Sequence, residues 1–310
     1  MDRSWIHRAA RSRIAESLFS VLFPSDCRIC AAPLLNISRL PVCPQCLDEI
    51  HPVRGKVCSV CGERVLSYYA ELDADGLRRC PICRRTERPF DRAVAYGSYD
   101  GGLRELIHLL KYNGVRPAAE VLGRMLAEAI ATLEPLLAQA TIEQATIEQA
   151  TIEHATIEQA TPHARVLVIP VALYKSRRRQ RGFNQAELIA RAALKFHPAG
   201  EHLRLRPDIL LRTRDTHSQI GLTSHQRREN MRGAFAVARA EEVTGRGVLL
   251  VDDVYTTGTT ATECARVLRR AGASRVWVAT AARTLKLASN YAQDGSEETE
   301  GQAPMVKAAG

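Results

Sequence analysis

Val248-Leu-Leu-Val-Asp252-Asp253-Val-Tyr-Thr256-Thr257-Gly258-Thr259-Thr260 is the stretch on which the fold of this chain turns. Val248–Val251 is a short, continuous apolar run, the pattern of a strand buried on both faces of a parallel sheet. Asp252 and Asp253 follow at the strand's C-terminal end, outside which open α/β sheets bind their ligands. The threonine-glycine loop then leads into a helical stretch at about 260–271. Thr260 with Glu263 three residues on has the form of a capping box, which predicts a helix starting at Thr260. Backbone N–H groups and threonine hydroxyls would converge there, where the helix dipole favours an anion. Gly258 allows the tight turn and a close approach of backbone to ligand. The run is not a Walker loop, because Gly-x-x-x-x-Gly-Lys-Ser/Thr is absent. Carboxylates repel phosphate, so the two acids must address a neutral part of the ligand. Vicinal hydroxyls of a ribose 5-phosphate suit that arrangement.

Working outward, Val166-Leu-Val-Ile169 and Val276-Trp-Val-Ala279 repeat the buried-strand pattern, and Ala93-Val-Ala-Tyr96 reads as a further strand. Leu103, Leu106, Ile107 and Leu110 form the apolar face of a helix ending before Gly114. A second helix is predicted over roughly 117–138, and another at about 184–196. Strands alternating with helices give an α/β domain with a parallel sheet, spanning 89–288. One insert, 139–161, departs from the plan: Ala140-Thr-Ile-Glu-Gln recurs four times through residue 159, with His154 replacing one Gln. A five-residue step advances about 140° beyond a full helical turn, so the isoleucines spiral and cannot line one face. The insert reads as a linker, either an exposed helical extension or a disordered segment. Residues 1–24 read as a short amphipathic helix with Ile14, Leu18, Val21 and Leu22 opposite Arg11 and Glu16, ended by Pro24. The tail 289–310 has a disordered composition.

The composition, 45% hydrophobic and 25% charged over 310 residues, is that of a water-soluble globular chain. No apolar run reaches membrane-spanning length, and scattered arginines deny the first 24 residues the apolar core of a secretory signal, so a cytoplasmic location is expected. The net charge of +9 favours polyanionic partners. Lys175, Arg177, Arg178, Arg179 and Arg181 concentrate it in a run without acids. Such a run is ordinarily a solvated face, but this one follows a second strand end beside the candidate phosphate loop.

Eight of nine cysteines form Cys-x-x-Cys pairs, Cys27/Cys30, Cys43/Cys46, Cys58/Cys61 and Cys80/Cys83, in the Pro- and Arg-rich segment 25–88. A cytoplasmic chain with this spacing points to metal before disulfides, and zinc takes four thiolates in a tetrahedron. Cys27-Arg-Ile-Cys30-Ala resembles Cys58-Ser-Val-Cys61-Gly, while Cys43-Pro-Gln-Cys46 resembles Cys80-Pro-Ile-Cys83. This A-B-A-B order pairs 27/30 with 43/46 and 58/61 with 80/83, with a cross-braced arrangement as the competitor. Both sites would be closed and structural, their folding energy coming from the metal, so that chelation would unfold 25–88 alone. Thiol redox chemistry and iron in the same sites are the rival readings. Cys264 reads as a small buried residue.

With these residues in view, the sequence resembles the type I phosphoribosyltransferases, and within them the ComF/GntX family of competence-related proteins. The resemblance rests on Pro24 with Cys27-x-x-Cys30, Leu109-Leu-Lys111-Tyr112, Val168-Ile-Pro-Val171, Arg181-Gly-Phe-Asn-Gln185, Gln219, Arg227, Asn230 and the Asp252–Thr260 run. It implies a phosphoribosyltransferase-like parallel sheet flanked by helices, preceded by a small double zinc ribbon with four cysteines to each metal. It further implies that Asp252 and Asp253 hold the ribose hydroxyls of phosphoribosyl pyrophosphate, and that Thr256, Thr257, Gly258, Thr259 and Thr260 hold its 5-phosphate. The loop after Val166–Ile169 would take the diphosphate with Mg²⁺, with Arg181 the foremost contributor and Lys111 within reach. Transfer of the phosphoribosyl group to an acceptor is the enzymatic reading, with segment 97–138 shaping the acceptor pocket and Leu211–Arg232 forming a mobile loop. Against it stands a binding module for single-stranded DNA, or a ribbon that docks a competence DNA helicase. Aromatic residues are only 5%, and no aromatic-basic interleaving marks a stacking platform.

Overall fold

The computed structural model describes residues 25–34, 39–65, 72, 76–152, 166–198, 200–216 and 223–285. The expected helix at 1–24 and the tail 289–310 lie outside them. Two short strands, β1 (Ser25–Asp26) and β2 (Pro33–Leu34), pair antiparallel around the first Cys-x-x-Cys. Helices α1 (Pro44–Asp48) and α2 (Pro81–Arg85) each begin at a proline that directly follows a cysteine. Proline suits a first helical position because the N–H it lacks would be unbonded there.

The α/β body opens with β3 (Arg92–Ser98), α3 (Gly101–Asn113), α4 (Ala118–Ala131) and α5 (Glu134–Ile152). Gly114 closes α3 in the left-handed conformation at φ 67°. The single helix expected over 117–138 is instead two, broken at Thr132 and Leu133. Pro135 is the reason: its ring would clash with the carbonyl of Ala131 in a continuous helix, whereas it fits the first turn of a new one. The pentapeptide repeat continues α5 as helix through Ile152, with Ala140 buried and Ile142 exposed.

Next come β4 (Val166–Pro170), α6 (Lys175–Arg181), α7 (Gln185–Phe196), β5 (Leu203–Leu205), β6 (Leu210–Arg212), α8 (Ser224–Met231) and β7 (Phe235–Val237). The chain then forms β8 (Gly247–Tyr255), α9 (Thr259–Arg270) and β9 (Arg275–Arg283). Five strands make one parallel sheet in the order β3-β9-β8-β4-β5, and β6 with β7 forms a separate antiparallel pair.

Strand alternation sorts the core into two layers. Val166, Val168, Leu249, Val251, Trp277 and Ala279 face the helices α3, α4 and α7. Leu167, Ile169, Val248, Leu250, Val276 and Val278 face α9 and the β6–β7 pair. On the first face α4 and α7 approach so closely that a Cβ on Gly123 would lie 2.9 Å from the Ala192 carbonyl carbon and the Ala193 nitrogen.

The cysteine segment is built into this body. Val53 donates to the Tyr96 carbonyl at 2.7 Å, and Ala93 donates to the Val60 carbonyl at 2.7 Å, covering the outer edge of β3. Cys27 and Cys46 belong to the core on one face of the sheet, and Cys58, Cys61, Cys80 and Cys83 to the core on the other. The fold is therefore an α/β parallel sheet flanked by helices, with a four-cysteine cluster packed on each face. Among the described residues, no helix is long and apolar enough to cross a membrane.

Candidate functional site

The eight thiols gather in the pairing that the duplicated motifs predicted. Cys27, Cys30, Cys43 and Cys46 form one cluster and Cys58, Cys61, Cys80 and Cys83 the other, all sulfurs of a cluster lying within 4.8 Å of one another. A tetrahedral ion about 2.3 Å from each thiolate requires sulfurs roughly 3.8 Å apart. The Cys30 and Cys43 sulfurs are 3.7 Å apart, as are those of Cys61 and Cys80. The main chain adds amide donors to sulfur, Cys43 N–H to Cys27 Sγ at 3.3 Å and Cys46 N–H to Cys43 Sγ at 3.5 Å. Crowded thiols drive one another apart in acidity: hydrogen bonds from Cys61, Cys80 and Cys83 push Cys58 down, and contacts with Cys58, Cys80 and Cys83 push Cys61 up. A shared cation removes that conflict, so the donor set fits a thiolate-bound metal.

At the end of β8 the two acids point to opposite faces, as alternation requires. Asp253 turns toward α3, where Lys111 Nζ lies 2.6 Å from its Oδ2. Both side chains are largely buried, with 16% of Lys111 and 5% of Asp253 exposed. Burial works against the Lys111 ammonium, but the Asp253 charge outweighs it and holds the pKa above the ordinary lysine value. Asp252 turns toward the α9 face, within the field of Arg212 and Cys264, and its carboxylate accepts the Asp253 N–H at 2.9 Å. Burial, reinforced by the Asp253 charge and only partly offset by Lys111, raises its pKa to about 7. Cys264 beneath it is fully buried, as expected.

The loop after β8 departs from the expected capping box. Helix α9 starts at Thr259, and its N-cap is Gly258 at φ 76°, which has no side chain to cap with. Glu263 serves other partners, accepting from the Gly233 N–H at 2.7 Å and pairing with Arg266 at 2.6 Å. The cause is steric. Tyr255 packs beneath the loop so closely that a Cβ on Gly258 would overlap its hydroxyl and lie 2.5 Å from its Cζ. Only glycine fits, and the helix begins one residue early. The Thr257 and Thr259 hydroxyls are hydrogen bonded at 2.8 Å.

Thr256, Thr257 and Thr259 line a cavity of about 710 Å³ that also reaches Cys61, Cys80, Arg88, Tyr255 and Arg283. Asp252, Asp253, Thr260, Lys111 and Arg181 do not line it. The basic run is helical: α6 has no buried residue and ends at Gly182 in the left-handed conformation. Arg181 donates to Gln185 Oε1 at 2.5 Å, and its guanidinium lies 5.7 Å from the ring centre of Tyr112, the neighbour of Lys111. Arg177 instead reaches the Thr216 carbonyl at 3.1 Å. In the expected loop 211–232, β6 and α8 are ordered elements, α8 starting with a capping box between Thr223 and Gln226. Gln219 lies outside the described residues.

Several neighbours escaped the sequence reading. Tyr99 Oη and His108 Nε2 are 3.0 Å apart on the side of α3 that carries Lys111. Arg88 and Arg283, at the ends of the cysteine segment and of β9, line the same cavity as Thr256, Thr257 and Thr259. Nothing in their local sequence marks them. The Tyr99–His108 spacing of nine residues could have been noticed, because it brackets the first turns of α3.

The sequence family described as "Phosphoribosyl transferase domain" matches residues 204–298. The chain is 28% identical over 249 residues to "Competence protein F" of Haemophilus influenzae, covering 76% of this chain and 94% of that protein. It is 29% identical over 262 residues to "DNA utilization protein YhgH" of Escherichia coli O6:H1, covering 84% of this chain and 98% of that protein. Identity to "Competence protein ComFC" of Bacillus subtilis is 23% over 238 residues, 74% of this chain and 79% of that protein. In joining a phosphoribosyltransferase domain to two N-terminal four-cysteine clusters, this chain is similar over most of its length to the ComF/YhgH competence and DNA-utilization proteins.

Proposed function

We propose that this protein binds phosphoribosyl pyrophosphate with Mg²⁺ at the carboxyl end of β8 and transfers the phosphoribosyl group to an acceptor nucleophile. The observation that carries this is the juxtaposition at one strand end of Asp252 and Asp253 with a glycine-threonine loop opening α9. In this reading the amides and hydroxyls of Thr256–Thr260 hold the 5-phosphate and Asp252 accepts from the ribose hydroxyls. The α6 end with Arg181 faces the diphosphate, where Mg²⁺ when bound supplies neutralising charge. The bond from the anomeric carbon to the diphosphate oxygen breaks, and one to the acceptor forms as pyrophosphate leaves with the electron pair. Positive charge at that carbon is tolerated because Asp252 lies close. Each four-cysteine cluster holds one structural Zn²⁺.

A second reading keeps ligand binding without transfer. It is favoured by the Lys111 ion pair, which leaves Asp252 as the acid not already neutralised by a 2.6 Å contact. The relatives' names support a role in competence or DNA utilization, and the +9 charge suits a single-stranded DNA partner, presented with or without a DNA helicase.

Calorimetric titration with phosphoribosyl pyrophosphate and Mg²⁺ tests the site, with Asp252→Asn as the control expected to lose binding. A screen of acceptors for pyrophosphate release separates transfer from binding alone. Absence of any heat with the wild-type protein would refute both readings of the pocket. A flat salt dependence of single-strand affinity would argue against contact with a phosphate backbone.

A further inference from the structure

The second cysteine cluster and the phosphate loop share the same cavity of about 710 Å³, with Cys61 and Cys80 on one wall and Thr256, Thr257 and Thr259 on another. Three side chains join the walls. Arg283, 3% exposed, donates to the Cys61 carbonyl and, at 2.7 Å, to Glu63 Oε2. Its guanidinium also stands 5.1 Å from the ring centre of Tyr255, which in turn supports Gly258 from below. Arg88 donates to Thr262 Oγ1 in the first turn of α9 at 3.2 Å and lies in the field of Cys83 and Cys61. The Tyr255 hydroxyl and the Nε atoms of Arg88 and Arg283 are buried without a hydrogen-bond partner. All three atoms are shielded from solvent, so these side chains bear on the loop by packing and charge rather than by contact with a ligand. Among the described residues the first cluster has no such link: it packs on the opposite face, where Ile50 and the Cys46 carbonyl meet Gly102 at the start of α3.

We propose that the second cluster, and not the first, is part of the anion site, with Arg88 and Arg283 as positioning residues that carry its geometry to the loop. Four thiolates around a divalent ion leave a net double negative charge, which Arg88 faces while reaching Thr262, whereas Arg283 is paired with Glu63 and ties the Cys61 carbonyl to Tyr255. Without the ion the knuckle at Cys61 and Cys80 loses its anchor and the loop loses its support. Phosphate affinity at the loop therefore follows the metal content of the second cluster. By linkage, ligand bound at the loop raises that cluster's affinity for its metal, a gain expressed as slower release where metal association is unchanged. This inference rests on the phosphate-binding reading above and adds its regulation.

The test uses the full chain loaded with zinc, phosphoribosyl pyrophosphate with Mg²⁺ as probe, and two readouts: the calorimetric Kd and the rate of zinc release to a chromogenic chelator. Cys80→Ser/Cys83→Ser is expected to bind one zinc fewer and to weaken the probe by about tenfold or more, whereas Cys43→Ser/Cys46→Ser shifts Kd by less than about twofold. Because either pair could disturb folding, Arg88→Gln is the second variant. It should retain both zinc ions and its melting temperature, lose the ligand-induced slowing of zinc release, and regain it in Arg88→Lys. Equal Kd values in both cysteine variants, or slowing that survives Arg88→Gln, would overturn the coupling and leave the phosphate site standing. No binding by the zinc-loaded wild type would overturn the site itself and this inference with it.

Discussion

Lys111 and Asp253 form a buried ion pair between α3 and the end of β8, with Nζ 2.6 Å from Oδ2. Removing one partner strands the other charge in the interior. Lys111→Met is therefore expected to cost about 3–5 kcal/mol of stability, and adding Asp253→Asn to restore much of it. Urea unfolding of the two single variants and the double variant measures this. Additive losses would mean that the pair is not coupled.

Asp252 gives the protein a predictable pH response. Its carboxyl holds a proton up to about pH 7 in the folded chain, against 3.8 for the ordinary group. The folded state thus binds more protons than the unfolded one between those values, and this group's penalty on stability grows as pH rises from about 4 to 7. Asp252→Asn removes the penalty, so the variant should gain on the wild type in urea midpoint at pH 8 but not at pH 4. Affinity for a ligand that needs the carboxylate should rise across pH 7 in the wild type alone. Parallel pH profiles for the two proteins would contradict this.

Gly258 and Gly114 separate two costs of adding a methyl group. Both are left-handed, at φ 76° and 67°. A Cβ at Gly114 meets nothing within 4 Å, whereas one at Gly258 runs into Tyr255. Gly114→Ala should cost about 1 kcal/mol, the conformational term alone, and Gly258→Ala about 1–3 kcal/mol more, with loss of phosphate binding. Equal melting temperatures would show that Tyr255 yields freely.

Metal removal should loosen more than the cysteine segment. Cluster residues are part of both core layers, and Val60 and Val53 cover the β3 edge. Chelation is thus expected to lower the melting temperature of the whole body and speed amide exchange in β3, rather than unfold 25–88 alone. Unchanged exchange in β3 after both ions are removed would restore the picture of an independent module.

The strands were legible in the chain because four or five consecutive apolar residues admit few other fates, and the cysteine pairing because a duplicated motif carries its own alignment. Gly258 and the acids of β8 were likewise marked by local pattern, and the break at Pro135 could have been. The capping box at Thr260 misled because its spacing is a local rule, and Tyr255 beneath Gly258 overrode it. Lys111 facing Asp253, and Arg283 reaching Cys61 across 222 residues, were invisible in the order of residues. Periodicity reports which side of an element is apolar. Which charges meet at the end of the sheet follows from how helices and cysteine knuckles pack on its two faces, and that is settled only when burial forces each charge to find a partner.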